Sequence, residues 1–303
     1  MRRYVILISL FSLFTIFVYS QSSINAGDII EKINNGVEVH YENITITGKL
    51  DFTAIEDVIE DKGKPWSGFP RLYICHVRIP VKFCNCLFKD DVVGHVHKGR
   101  EEMYKAVFYN EVVFDGCKFT GEFSFRHSDF MKRVCFKNTA FYGFADFRHV
   151  SFDKSAVFTK SSFNDDMDFK HTKFNGDAYF EESLYEHDAD FRHTNFCGKI
   201  EFDKAVFKRT ANFGHTDFPK GPDFSEVSFF RHADFKHANF KNGVDFNKAV
   251  FNSLADFGYT HFEEPVNFDE VEFNDDLDFC HSTIGGRSIV KYLFKKTKRE
   301  VLE

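Results

Sequence analysis

The chain has 303 residues, 42 of them Phe against one Trp, six Pro and four Met, so one aromatic serves as its recurrent apolar unit. A formal charge of -7 excludes a nonspecific, basic nucleic-acid binder and leaves the fold open. No nucleophile elbow, glycine-rich phosphate loop or HExxH pair occurs, so no catalytic residue is assigned, no cofactor is implied and an enzyme is not expected.

Residues 1–20 read as a signal peptide. Arg2 and Arg3 make a positive start, residues 5–18 are apolar apart from Ser9, Ser12 and Thr15, and Val18 and Ser20 suit cleavage before Gln21. The run is short of the roughly 20 residues that span a bilayer, which leaves an uncleaved membrane anchor as the alternative. The expected localisation is export to the periplasm, the cell envelope or the medium.

Residues 21–107 read as an N-terminal cap with early irregular coils. A strand-like stretch at 37–46 seals the end, and Leu50-Asp51-Phe52 is an early copy of the later repeat. Residues 57–69, with Gly63, Pro65, Trp66 and Gly68, form an inserted loop before Phe83 and Phe88 resume a five-residue step. Residues 89–106 are a second insertion, with a short helix expected at 100–106 and with His95 and His97 facing solvent. Insertions into a repeat protrude and carry partner contacts, so this segment is the candidate for specificity. Seven cysteines (Cys75, Cys84, Cys86, Cys117, Cys135, Cys197 and Cys280) leave at least one unpaired in an exported protein. Cys86 and Cys117 stand two before Phe88 and Phe119, where small buried core residues are expected before a disulfide between coils.

Residues 108–284 form the main array. From Phe108, Phe114, Phe119 and Phe125 to Phe279 and Ile284, an apolar anchor recurs at alternating steps of five and six, with Tyr185 the other replacement of Phe. No amphipathic helix or alternating strand has that period. Phe125-Arg126-His127, Phe147-Arg148-His149, Phe169-Lys170-His171 and Phe191-Arg192-His193 return every 22 residues, which is four anchors and one square coil. Eight coils spaced by about 4.8 Å make a rod of roughly 38 Å. Two before the first anchor of each coil stand Phe123, Ala145, Met167, Ala189, Ala211, Ala233, Ala255 and Leu277, mostly small, as packing beside Phe demands.

Outward positions align as well. Asp146, Asp168, Asp190, Asn212, Asp234, Asp256 and Asp278 form one column, beside Arg126, Arg148, Lys170, Arg192 and Lys236 in another, and the two signs compensate each other. His127, His149, His171, His193, His215, His237 and His281 make a third, interrupted by Tyr259. Its sharper reading is a metal-binding or pH-sensing ridge, and its plainer one a by-product of copying.

Ala145-Asp146-Phe147, Ala189-Asp190-Phe191, Ala211-Asn212-Phe213, Ala233-Asp234-Phe235, Ala238-Asn239-Phe240 and Ala255-Asp256-Phe257 resemble the pentapeptide-repeat family, whose unit is A(D/N)LXX or A(D/N)FXX. The resemblance covers about 180 residues. It implies an all-β solenoid, a right-handed quadrilateral β-helix with the central residue and the one two before it facing inward. An extra residue in every second unit departs from the family pattern and implies looser corners on two faces.

In residues 285–303, Gly285-Gly286 stops the repeat and Ser288 reads as the N-cap of a short C-terminal capping helix to about residue 301, with Ile289, Val290, Leu293 and Phe294 on its apolar face. The leading functional expectation is a noncatalytic exported scaffold for a protein or cell-envelope component, with a homodimer through a solenoid end possible and no nucleic-acid partner. The resemblance also implies an alternative, a DNA-mimicking modulator of type II topoisomerase, should the chain be cytoplasmic.

Overall fold

The structure, a computed structural model, describes residues 22–62 and 70–289. The expected signal peptide lies outside them, as do most of the first insertion's tip and the expected C-terminal helix beyond Ile289. The chain winds into a four-sided β-solenoid whose faces are sheets of 11, 13, 10 and 7 strands, with a further two-stranded sheet. Nearly every strand pair is parallel, and through the array the pairs keep register at a 22-residue offset, as in Ala145 against Met167 and Phe152 against Phe174.

The core is four columns of rings. They start at Phe108 on face one, Phe114 on face two, Phe119 on face three and Phe125 on face four, and nearly all members are fully buried. Along face two, Phe158 stacks on Phe180 at 5.0 Å and Phe180 on Phe202 at 4.7 Å, each pair within 5° of parallel. Faces two and four oppose one another, and their rings meet edge to face: Phe158 with Phe169 at 5.3 Å and 85°, Phe180 with Phe191 at 5.6 Å and 86°. Offset stacking and edge-to-face contact are the two arrangements the ring quadrupole favours, and faces two and four combine them coil after coil, as at Phe169, Phe180 and Phe191. Between rings small side chains predominate, with Ala145, Ala156, Ala178, Ala189 and Ala211 buried there beside the larger Phe123, Met167 and Ile200.

Five- and six-residue steps make different corners. In each five-residue step the second residue after the anchor is left-handed: His127, His149, His171 and His193 between faces four and one, Asn138, Lys160, Glu182 and Lys204 between faces two and three. Such a backbone costs an L-residue roughly 1–2 kcal/mol. It turns the chain tightly and aims the residue's N–H at the next coil, His127 donating to the Arg148 carbonyl at 2.9 Å and Lys160 to Glu181 at 2.8 Å. The next residue folds a hydroxyl inward, Thr194 Oγ1 donating to the Phe169 carbonyl at 3.0 Å and Thr216 Oγ1 to Phe191 at 2.8 Å. Six-residue steps are wider and turn without a left-handed side chain, except between Phe240 and Phe246, where Asn242 and Gly243 have positive φ. On one of these corners, adding a Cβ to Gly198 would bring it within 2.3 Å of the Gly176 carbonyl oxygen, so both coils keep glycine there.

The N-terminal part is built from the same coils. In chain order it contains β1 (Ser23–Asn25), α1 (Ala26–Asn34), β2 (Val39–Glu42), β3 (Thr45–Thr47), β4 (Leu50–Asp51), β5 (Val58–Glu60), β6 (Arg71–Val77), β7 (Val81–Cys84), β8 (Leu87–Phe88), β9 (Val92–Val93), β10 (His95–Lys98) and β11 (Glu102–Phe108). β2, β3 and β4 already lie in register under β7, β8 and β9, so Leu50-Asp51-Phe52 is a true early copy. The seal is α1, which the sequence reading missed: Asn25 caps it by accepting from Gly27 N at 2.8 Å, and Ala26, Ile29 and Ile33 are buried. Cys86 and Cys117 are buried free thiols in the core. At the other end Gly285 and Gly286, both with positive φ, turn Thr283–Ile284 back onto Arg287–Ser288, so Ser288 is in a strand. Face two loses regular pairing beyond Ile200–Glu201, where Pro222 has no N–H to give and leaves only the bridge of Asp223 to its neighbours.

Phe180→Ala removes a fully buried ring from two stacks and three edge contacts, and denaturant unfolding is expected to show a loss of about 3–5 kcal/mol. Tyr185 is the opposite case. Its buried hydroxyl has no hydrogen-bond partner, and Ser183 beside it already donates to the Phe180 carbonyl. Tyr185→Phe is therefore expected to stabilise the protein by about 1 kcal/mol, and a destabilised variant would show that the hydroxyl is satisfied.

Candidate functional site

Both insertions fall at the corner between faces four and one. The first lies between Phe52 and β6 and the second between β9 and β11; one coil later the same corner becomes the first histidine turn, His127. On face one the regular coils need only two-residue strands, whereas β6 and β11 have seven residues each, paired from Arg71 with Glu102 to Val77 with Phe108. β5 adds antiparallel to β6, and β10 adds antiparallel to the outer half of β11, His95 opposite Lys105 and Lys98 opposite Glu102. A four-stranded sheet thus extends past the coil edge. The short helix expected at 100–106 is replaced by β11, because residues 102–108 alternate and pair on both sides rather than presenting a helical stripe.

Tyr73 and Tyr104 stack on this extension at 4.6 Å, and Lys98 Nζ lies 4.0 Å over the Tyr104 ring. Arg71 pairs with Glu102 at 3.0 Å, while Lys105 ties the sheet to the next coil through Asp129 at 2.6 Å. Ile59 on edge strand β5 is 54% exposed. Gly94 stands where neighbouring coils place Phe52 and Phe125; a Cβ there would lie 2.5 Å from Phe125 Cδ1, so only glycine lets the Phe125 ring close beneath the hairpin. The aromatic pair was legible in principle from the alternation of residues 71–77, but nothing in the sequence placed Tyr73 on Tyr104.

All the histidines singled out in the sequence stand in one continuous ring stack. His127, His149, His171, His193, His215 and His237 follow at 4.6–5.0 Å, and Tyr259 continues the column to His281 rather than interrupting it. His95 from β10 caps the top, 5.2 Å from His127 and 4.9 Å from His97, so it is half-buried against the ladder instead of facing solvent. A metal held by two nitrogens at about 2.0–2.1 Å each draws them within about 4.2 Å. The ring centroids of the ladder stand 4.6–5.0 Å apart. Among the described residues, the group of potential ligands that does gather is Asp165, Asp166 and His187, on a different and exposed corner.

The carboxylates beside the ladder have a role beyond charge balance. Asp146, Asp168, Asp190 and Asp234 each accept the N–H two residues on, at 2.8–3.0 Å, and so fix the turn that leads into the left-handed histidine. Arg148 and Arg192 also fork onto Asp146 and Asp190, both at 2.5 Å. The positive charges bear on the ladder's top. Burial first, then His97 and Arg126, hold the His95 imidazole down at about 4, with Arg148 adding to this and Asp146 opposing it. Burial first, then His149 and His95, hold His127 at about 3, with Arg126 and Lys105 in support. His149 and His193 are lowered too, by burial and then by His171.

A family model described as pentapeptide repeats (9 copies) matches residues 104–151, 147–195, 191–239 and 235–283. The chain belongs to the pentapeptide-repeat family, whose β-solenoids are generally noncatalytic structural scaffolds. No curated protein and no solved structure matches it.

The depressed imidazoles fix the sign of a pH effect. Between about pH 6.5 and the folded values near 4 and 3, the unfolded chain binds more protons than the folded one, so stability falls as pH falls through that window. Thermal melts are expected to decline from pH 7 to pH 4. His127→Asn with His149→Asn, which keeps a residue tolerant of positive φ, is expected to flatten that slope, and an unchanged slope would assign it to other groups. Gly94→Ala is expected to cost about 1–3 kcal/mol through overpacking against Phe125, measured by denaturant unfolding.

Proposed function

We propose that this protein is a noncatalytic, exported scaffold that binds a protein or cell-envelope component through the sheet extension of β5, β6, β10 and β11. The observation that carries this is surplus sheet: the outer halves of β6 and β11 lie beyond what the coil needs to close its core. β5 and β10 pair on one side only among the described strands, so each leaves an edge to which a partner strand can add. The Tyr73–Tyr104 stack adds rigid contact area with little side-chain entropy to lose on binding. Export rests on Arg2, Arg3 and the apolar run at 5–18.

A second reading, pH sensing, is favoured by the imidazole stack that ends on His95 of the same extension, where burial and neighbouring charges lower His95 and His127. On this reading, acid weakens the seat of the hairpin and so the partner's platform.

Residues 92–93 and 106–108 belong to the coils, so deleting the whole insertion would damage the core. Point variants make the cleaner test. Tyr73→Ser with Tyr104→Ser is expected to keep the wild-type melting profile and to lose a partner that the wild type captures from cell-envelope extract by cross-linking. Identical partner sets from both proteins would sink the extension as the binding site. Residues 1–25 fused to a reporter are expected to direct export, and a reporter retained in the cytoplasm would return the topoisomerase alternative to first place.

A further inference from the structure

The wide corner between faces three and four carries a charge pattern unlike the other corners. Successive coils present Asp165-Asp166, then Glu186-His187-Asp188, then Lys208-Arg209-Thr210, then Phe230-Arg231-His232. Arg209 and Arg231 are exposed and stand in the same register one coil apart, since Ala211 pairs with Ala233 two residues further on. Like charges at the strand spacing repel, and elsewhere carboxylates relieve them: Arg148 on Asp146, Arg192 on Asp190, Lys208 on Glu186 at 2.9 Å. Arg209 and Arg231 have no such partner among the described residues. The nearby acids are already used by backbone, Asp166 accepting from Asp188 N at 3.2 Å and Asp188 from Thr210 N at 3.0 Å.

The extra residue of each six-residue step leaves open concavities between coils here. One of about 380 Å³ is lined by Glu186, Lys208, Arg209, Phe230 and Arg231. Its neighbour, of about 530 Å³, shares Arg209 and Arg231 and adds His232 and Asp188 among its walls. His232 Nε2 is buried without a hydrogen-bond partner, and Phe230 leaves half its ring in solvent.

We propose that this corner binds a small organic oxyanion, a phosphate or sulfate monoester with an aromatic or apolar body. Two guanidiniums at the coil spacing suit the oxygens of one tetrahedral group, each by paired charge-assisted hydrogen bonds. Phe230 offers a face to the ester's body. The acids of the preceding two coils repel an extended polyanion, so the site selects a single anionic group over a charged polymer.

Phenyl phosphate, inorganic phosphate and a heparin oligosaccharide, titrated into the folded protein by calorimetry and NMR, test this. Phenyl phosphate is expected to saturate, to bind more tightly than inorganic phosphate and to shift resonances at Arg209, Phe230 and Arg231. Arg209→Gln with Arg231→Gln, both surface changes, is expected to weaken binding by tenfold or more at an unchanged melting temperature, and Phe230→Ala to remove the preference for the phenyl ester. The proposal is overturned by no saturable binding of phenyl phosphate at millimolar concentration, by equal binding to the double variant, or by heparin binding as well as the ester.

Discussion

Everything in this molecule follows from one coincidence of lengths. Neighbouring strands are about 4.8 Å apart, and two aromatic rings in offset contact need nearly the same separation. A Phe repeated at every coil therefore stacks without adjustment, and the observed spacing along a column, 4.7–5.0 Å for Phe158, Phe180 and Phe202, is the strand spacing itself. A larger ring would overfill the section, while an aliphatic side chain would give up the edge contacts between opposite faces. Those contacts explain why Ala recurs beside the anchors: the ring has already occupied the space.

Square section and stacking together dictate the corners. A chain that turns after every few residues must place some of them in the left-handed region, and the two five-residue corners do so at every coil. The other two corners avoid that strain by lengthening, Asn242 aside. Their extra residue is what opens surface between coils, so the same economy that spares the backbone creates the concavities around Arg209 and Arg231.

The array was legible in the sequence because its signal is long-range and redundant: one misread anchor does not disturb the 22-residue ruler. The capping helix α1 was not read, although Ala26, Ile29, Ile30 and Ile33 stand at i, i+3, i+4 and i+7 behind the Asn25 cap: it is a single nine-residue element that the 22-residue ruler does not reach, so no second copy repeats its signal. Residues 100–106 were misread for a related reason. Their charged start suggested a helix, but strand pairing with β6, 31 residues earlier, decides their state, and local propensity contains no trace of a partner so distant. The histidine column was visible as a column. Its cap by His95 was not, because the hairpin that delivers it departs from the repeat.

Copying alone does not account for the histidines. The left-handed corner between faces two and three makes the same backbone demand, with φ of 54–59° from Asn138 to Glu270, yet it holds Lys160, Glu182, Lys204, Glu226, Lys248 and Glu270 in alternation. There the side chains solve stacking by alternating sign, as Lys160 with Glu182 at 3.4 Å shows. The opposite corner solves it with stacked rings. Neither solution is forced by the backbone, and they differ in one physical respect: the alternating column pairs opposite charges between coils, while the imidazole column packs ring on ring, with burial and neighbouring charges lowering His95 and His127 at its top. The corner that also bears both insertions is thus the one built from stacked rings, capped by His95 from the second of them. Two different side-chain answers to one backbone demand set the histidine ladder apart from a by-product of repetition.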